Sequence, residues 1–135
     1  VLTPPVLVKQ MLGKLPKQVW AESKTFLDPT CGNGNFLVEV LSTKLRKGHD
    51  PLIALQTIYG LDILADNIEE CCIRLLQTLE SYQVQITESH CAIVLKNIKW
   101  LDIKLYPKGT LSYHLGFRDK PTKKQIKQLL NCLDS

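Results

Sequence analysis

Three aspartates are the residues best placed to do chemistry: Asp28 in "TFLDPTCGNGNFL", Asp62 in "TIYGLDI" and Asp102 in "NIKWLDI". Each closes a short apolar run, where a strand would end. Asp28 leads straight into a turn holding Gly32 and Gly34, residues that accept positive φ and carry no Cβ, so a ligand can lie against bare backbone. Carboxylates beside such a turn attract cations and hydrogen-bond donors and repel phosphate. A dinucleotide fingerprint would want a small residue at position 37, where Leu37 stands, and a P-loop would want Gly-Lys followed by Ser or Thr, which the chain lacks.

A ligand with cationic groups and no phosphate suits this set. S-adenosylmethionine has an ammonium, a sulfonium, a ribose diol and an exocyclic adenine amine. Asp28 suits the ammonium, directly or through water. Asp62 can accept both ribose hydroxyls in charge-assisted bonds, and Ile63 offers an apolar face to adenine. Asp102 can accept from the adenine amine, with Ile103 or Leu105 closing the pocket.

Bringing the three acids together requires a particular order of elements. "LTPPVLVKQMLGKLP" predicts a short helix with Pro4 and Pro5 in its first turn, where a missing amide costs least. Its apolar side is Val6, Val8, Met11, Leu12 and Leu15, and Gly13 and Pro16 end it. "KTFLD" reads as a strand and residues 35–45 as a helix with Phe36, Leu37, Val40 and Leu41 at helical spacing. In "KGHDPLIALQ" a helix is capped by Asp50 and opened by Pro51. "TIYGLDI" is a second strand, "ADNIEECCIRLLQTLESY" a long amphipathic helix, and "CAIVLKNI" a third strand. Beyond Pro107, "TLSYHLGF" suggests a strand, and "TKKQIKQLLNCL" a helix with Ile126, Leu129, Leu130 and Leu133 on one face. Strands alternating with helices give an α/β fold, an open and mostly parallel sheet with helices on both faces. Ligands bind such sheets outside the carboxyl ends of the strands, where the three acids fall.

"LDPTCGNGNFL" resembles the first motif of the DNA adenine-N6 methyltransferases of restriction–modification type, nearly position for position. "YGLDI" and "NIKWLDI" are similar to their second and third motifs, and "LTPPVLVKQML" resembles the N-terminal Thr-Pro motif that folds over the methionine end of the cofactor. The resemblance covers roughly residues 2 to 105. It implies a Rossmann-like methyltransferase fold in truncated or minimal form, with S-adenosylmethionine as cofactor. It also implies that Thr3, Asp28, Pro29, Cys31, Gly32, Gly34, Phe36, Asp62, Ile63 and Asp102 contact or shape the cofactor pocket. The family further uses an Asn/Asp-Pro-Pro-Tyr/Phe segment to hold the extruded base. Here the one Pro-Pro is Pro4-Pro5, in the wrong place. "GTLSYHLGF", with Tyr113 and His114, stands where the catalytic loop belongs, and "FRDKPTKK" offers Asp119 and Pro121 without the rest of the segment. The catalytic residues are therefore unknown. The expectation is a cofactor-binding domain whose catalytic loop and target recognition come from a missing segment or a partner chain. The alternative is a non-catalytic accessory module that binds the cofactor or nucleic acid.

Composition narrows the class further. A 135-residue chain is one domain at most, read as a cofactor domain over 1–105 and a basic C-terminal extension over 106–135. Residues 1–95 hold 8 Lys/Arg against 10 Asp/Glu, whereas residues 96–135 hold 9 against 3, so the net charge of +4 resides in the tail. Among its bases, Lys104, Lys108, Arg118, Lys120, Lys123 and Lys124 are the candidates for gripping nucleic-acid phosphate. A solvated charged face is the plainer account of the same residues. The five cysteines form no Cys-x-x-Cys pair and are odd in number, which argues for free thiols in a reducing cytoplasm rather than a metal site. No apolar run approaches the roughly 20 residues a membrane span needs. The chain opens at Val1 with no Met, as a processed or trimmed one would.

Overall fold

The computed structural model describes residues 4–101 and 120–134. Thr3, Asp102, Ile103, Lys104, Leu105, Lys108, Tyr113, His114, Arg118, Asp119 and the strand expected in "TLSYHLGF" lie outside them.

Pro5 opens helix α1 (Pro5–Gly13), and Pro16 turns the chain into a single 3-10 turn, Lys17–Trp20. Strand β1 (Phe26–Asp28) follows, then α2 (Asn35–Arg46) and α3 (Pro51–Gln56). Asp50 caps α3, its carboxylate accepting from the Ile53 amide at 3.1 Å, as the Asp-Pro pair predicts. Strand β2 (Ile58–Asp62) leads into α4 (Ala65–Ser81), then α5 (Glu88–Asn97) and β3 (Ile98–Trp100). The last described element is α6 (Lys123–Leu133).

The three strands form one parallel sheet in the order β1-β2-β3. Phe26, Leu27 and Asp28 lie opposite Ile58, Tyr59 and Gly60, and Gly60, Leu61 and Asp62 lie opposite Ile98, Lys99 and Trp100. Parallel neighbours need long crossovers, and each crossover here carries two helices. On β2, Ile58 and Gly60 face one way and Leu61 the other, and all three are buried, so the central strand is covered on both sides. The chain is thus α/β with a small open parallel sheet.

The core is a helical stripe from each crossover. Leu37, Val40 and Leu41 of α2 meet Cys71, Cys72, Leu75, Leu76 and Leu79 of α4. Leu129 of α6 joins them, and α6 packs on α4 and α5. Lys44 continues the buried stripe of α2 with no exposed surface. Its ammonium donates to the Lys24 carbonyl at 2.7 Å and to Thr57 Oγ1 at 2.6 Å, and it sits 5.2 Å from the centre of the Phe26 ring. Burial pulls its pKa below the usual lysine range, opposed by the charge of Glu22.

Two expectations are corrected. "CAIVLKNI" is a helix through Asn97, and the third strand is only Ile98–Trp100. Its β-branched content suggests a strand, but the local start signal is helical. Thr87 and His90 close a capping box, with the Thr87 amide donating to His90 Nδ1 at 3.0 Å. His90, Cys91, Val94 and Asn97 then fall on one buried face. On α1, only Val8 and Leu12 are buried, whereas Val6, Leu7 and Met11 are exposed, as is Leu15 beyond its end. A nine-residue helix laid against α2 buries one narrow stripe, and five apolar residues exceed it.

Cys31, Cys71, Cys72 and Cys91 are buried free thiols, and Cys132 is exposed. Burial pushes the Cys72 thiol up to about 12 and, with the charge of Glu88, Cys91 to about 11. No described helix is long and apolar enough to cross a membrane. Among the described residues, no group of three or more His, Cys, Asp or Glu is placed to hold a metal ion.

Candidate functional site

At the carboxyl ends of β1 and β2 the chain opens a cleft of about 350 Å³. Asp28, Cys31, Gly32, Phe36, Asp62 and Ile63 all line it. Parallel pairing is what brings Asp28 and Asp62 together across 34 positions of sequence: adjacent strands that run the same way end at the same edge.

The Gly turn is built by backbone geometry and closed by side chains. Gly32 has φ 55° and Gly34 φ 95°, the left-handed region where a Cβ is strained. The Cys31 amide donates to the Leu61 carbonyl at 2.8 Å, and the Gly34 amide to the Cys31 carbonyl at 2.9 Å. A Cβ on Gly34 would stand 2.8 Å from Cys71 Sγ, so this glycine lets the start of α2 rest on α4. Gly60, beneath the turn, has the same role: a Cβ there would meet Leu37 Cδ1 at 2.7 Å and Cys31 at 3.1 Å. Contact with the Cys71 thiol, then burial, pushes the Cys31 thiol far above the ordinary cysteine range. It stays a thiol and packs.

The two acids differ in how they are held. Asp28 Oδ1 accepts from the Thr30 amide at 3.1 Å, a local turn contact. Burial raises the Asp28 pKa, the Thr30 amide lowers it, and the nearby charge of Asp62 raises it again. Asp62 is a hub: Oδ2 accepts from the Gly32 amide at 2.9 Å, and Oδ1 from the Leu64 amide at 2.8 Å and from Asn67 Nδ2 at 3.2 Å. The carboxylate that ends β2 thus holds the glycine turn of β1.

Of the remaining expected pocket residues, Pro29 and Gly34 do not line the cleft. Pro29 is exposed and ends β1, and Gly34 acts through φ and packing. Thr3 and Asp102 lie outside the described residues. Lys120, Lys123 and Lys124 are described and exposed, at and before the start of α6. The sequence reading missed Thr30, Asn33, Asn35, Leu64 and Asn67, which also line the cleft. Asn33 Oδ1 is buried and has no hydrogen-bond partner among the described residues. Also missed was Arg74 of α4, whose Nη1 donates to the Asn33 carbonyl at 2.9 Å and Asn35 Oδ1 at 2.7 Å, bracing the turn. The place of Asn33 between two glycines, and of Asn35 directly after the second, was the available signal for those two. Arg74 is about 40 positions away, and nothing local marks it.

The cleft therefore offers two carboxylates, one buried acceptor without a donor, an apolar rim of Phe36, Ile63 and Leu64, and the first turn of α2 with its partial positive charge. This suits a ligand bearing a cation, hydroxyls and an apolar ring. No family model, no curated protein and no solved structure matches the chain.

Proposed function

We propose that the cleft binds S-adenosylmethionine and that the chain is the cofactor-binding part of a methyltransferase resembling the DNA adenine-N6 enzymes. The observation that carries this reading is that Asp28 and Asp62 line one cleft with the Gly32 turn between them. Two like charges beside a glycine turn work against a pyrophosphate and in favour of an ammonium and a diol.

The fit extends to individual groups. The amino-acid end of the ligand is a zwitterion. Its ammonium suits Asp28 and the acceptor-only Oδ1 of Asn33, and its carboxylate suits the amide dipoles at the start of α2. An ionised carboxylate has about four acceptor positions, and Asp62 uses three on Gly32, Leu64 and Asn67. The vacant position lies on Oδ2, which suits one ribose hydroxyl strongly; a second would take over an acceptor position now filled by the Gly32 amide or by Asn67. Bound there, the cofactor supplies an electrophilic methyl group. The chain's own residues would orient it and shield its charge.

The test is calorimetric titration with S-adenosylmethionine, S-adenosylhomocysteine, ATP and NAD. The adenosyl amino acids should bind and the phosphorylated nucleotides should not. Saturable binding of ATP or NAD in place of the adenosyl compounds refutes the reading. Titrating duplex DNA at two salt concentrations separates the accessory reading, because phosphate-driven binding weakens steeply with salt.

A further inference from the structure

Arg74 of α4 is half-buried and is not among the residues that line the cleft. One nitrogen of its guanidinium, Nη1, donates to the Asn33 carbonyl at 2.9 Å and to Asn35 Oδ1 at 2.7 Å. Those acceptors belong to residues that do line the cleft, one on either side of Gly34. The turn needs such a fastener, because Gly32 and Gly34 stand at positive φ and glycine has the most backbone freedom to lose. Charge-assisted bonds from a planar group fix direction as well as distance. Asn33, which they hold, has a buried Oδ1 with no hydrogen-bond partner among the described residues, and an orphaned acceptor in a cleft calls for a donor. Asp62 is mounted separately: its Oδ1 accepts from Leu64 and Asn67, at the head of α4. Asn67 and Arg74 lie about two helical turns apart on one face of α4. A single helix therefore carries two distinct mountings.

Resting on the proposed adenosyl site, we infer that Arg74 is the positioning residue for the ligand's amino-acid end. By holding the Asn33 carbonyl and Asn35, it sets Asn33 and the first turn of α2 toward the ammonium and carboxylate without touching the ligand itself. Asp62 keeps the sugar on its own anchors. The cleft is then two halves mounted independently, and preference for an amino-acid-bearing nucleoside over a bare one resides in a side chain outside it.

The experiment compares S-adenosylhomocysteine with 5′-methylthioadenosine, an adenosyl thioether without the amino acid, by calorimetry on the whole chain. Arg74→Met keeps the stem and its packing and removes both donors. It should weaken S-adenosylhomocysteine about tenfold, the loss expected for one hydrogen bond to a charged group, and leave 5′-methylthioadenosine unchanged. Arg74→Lys presents one nitrogen to the same two acceptors from a slightly shorter stem and should recover part of the lost affinity. A general loosening of the fold would weaken both ligands alike, so the ratio of the two dissociation constants is the readout. With S-adenosylhomocysteine bound by the wild type, three results overturn the inference and leave the acid cleft standing: equal losses for both ligands, no loss in Arg74→Met, or no wild-type affinity for 5′-methylthioadenosine. A wild type that binds neither ligand removes both readings. Should Arg74→Met fail to fold, Arg74→Gln, whose amide falls short of the turn, takes its place with the same outcomes.

Discussion

Asp62→Ala is the most informative single substitution, because the carboxylate has two separable duties. It accepts three hydrogen bonds from the protein, and in the proposed complex it also accepts from the ribose. Hydrogen bonds to charged groups contribute about 1.5–3 kcal/mol each when both partners are dry, but Leu64 is exposed and its amide finds water once the carboxylate is gone. We therefore expect a stability loss of about 1–2 kcal/mol, or a few degrees in Tm. Binding of S-adenosylmethionine should weaken by at least about tenfold, about 1.4 kcal/mol. Calorimetry gives the affinity and thermal melting followed by circular dichroism gives the stability. Asp62→Asn is the control, since its Oδ1 can still accept from Leu64 while the charge is lost. It should recover part of the stability and little of the affinity. A dissociation constant unchanged in Asp62→Ala would refute the cleft as the ligand site; an unchanged Tm would refute Asp62 as the brace of the glycine turn.

Three further outcomes are expected. Because the Asp28 pKa is raised, the carboxyl protonates at a higher pH than an ordinary aspartate. Affinity for a cationic ligand should fall as pH drops through that raised value, while the protonated carboxyl makes the ligand-free fold relatively more stable over the same window; Asp28→Asn should flatten both trends in titrations and melts. His90 has its pKa lowered, by burial against a smaller opposing effect of Asp50. The neutral ring is thus the folded form, and its stabilisation is full above the unfolded value of 6.5 and is lost as pH falls through the folded one; His90→Gln should keep the capping box of α5 and remove this component from the stability profile. Gly34→Ala should cost about 1–3 kcal/mol in denaturant unfolding, from its positive φ and from contact with Cys71. Gly48→Ala, at φ 83° with nothing within 4 Å, should cost only the backbone strain of about 1–2 kcal/mol, and equal losses would dismiss the Cys71 contact.

The parts of this molecule legible in the sequence are those specified by neighbouring residues. Asp50 before Pro51, the glycines after Pro29 and the spacing of Leu37, Val40 and Leu41 each act within one turn of chain, and α3, the bend and α2 follow. The pairing of Asp28 with Asp62 was legible because parallel strands leave few choices for where their ends meet. Helix α5 was not, because a run such as Ala92-Ile93-Val94-Leu95 fits a buried strand as well as a buried helix; the Thr87–His90 box decided it, and a histidine is not the Glu or Gln that usually signals one. Arg74 is tertiary: its partners Asn33 and Asn35 are brought within reach only by the fold.

The sheet has a lopsided mechanical consequence. β2 lies between two neighbours, but among the described residues β1 is hydrogen-bonded on one side only, so the two acids stand on supports of unequal stiffness. What compensates is Lys44: its interior ammonium clamps the Lys24 carbonyl and the Phe26 ring at the root of the half-supported strand. In the proposed complex the sugar would seat first on the firm wall, and the strand bearing Asp28 would then settle onto the charged end. Amide exchange should mirror this asymmetry, fast at Leu27 and slow at Leu61.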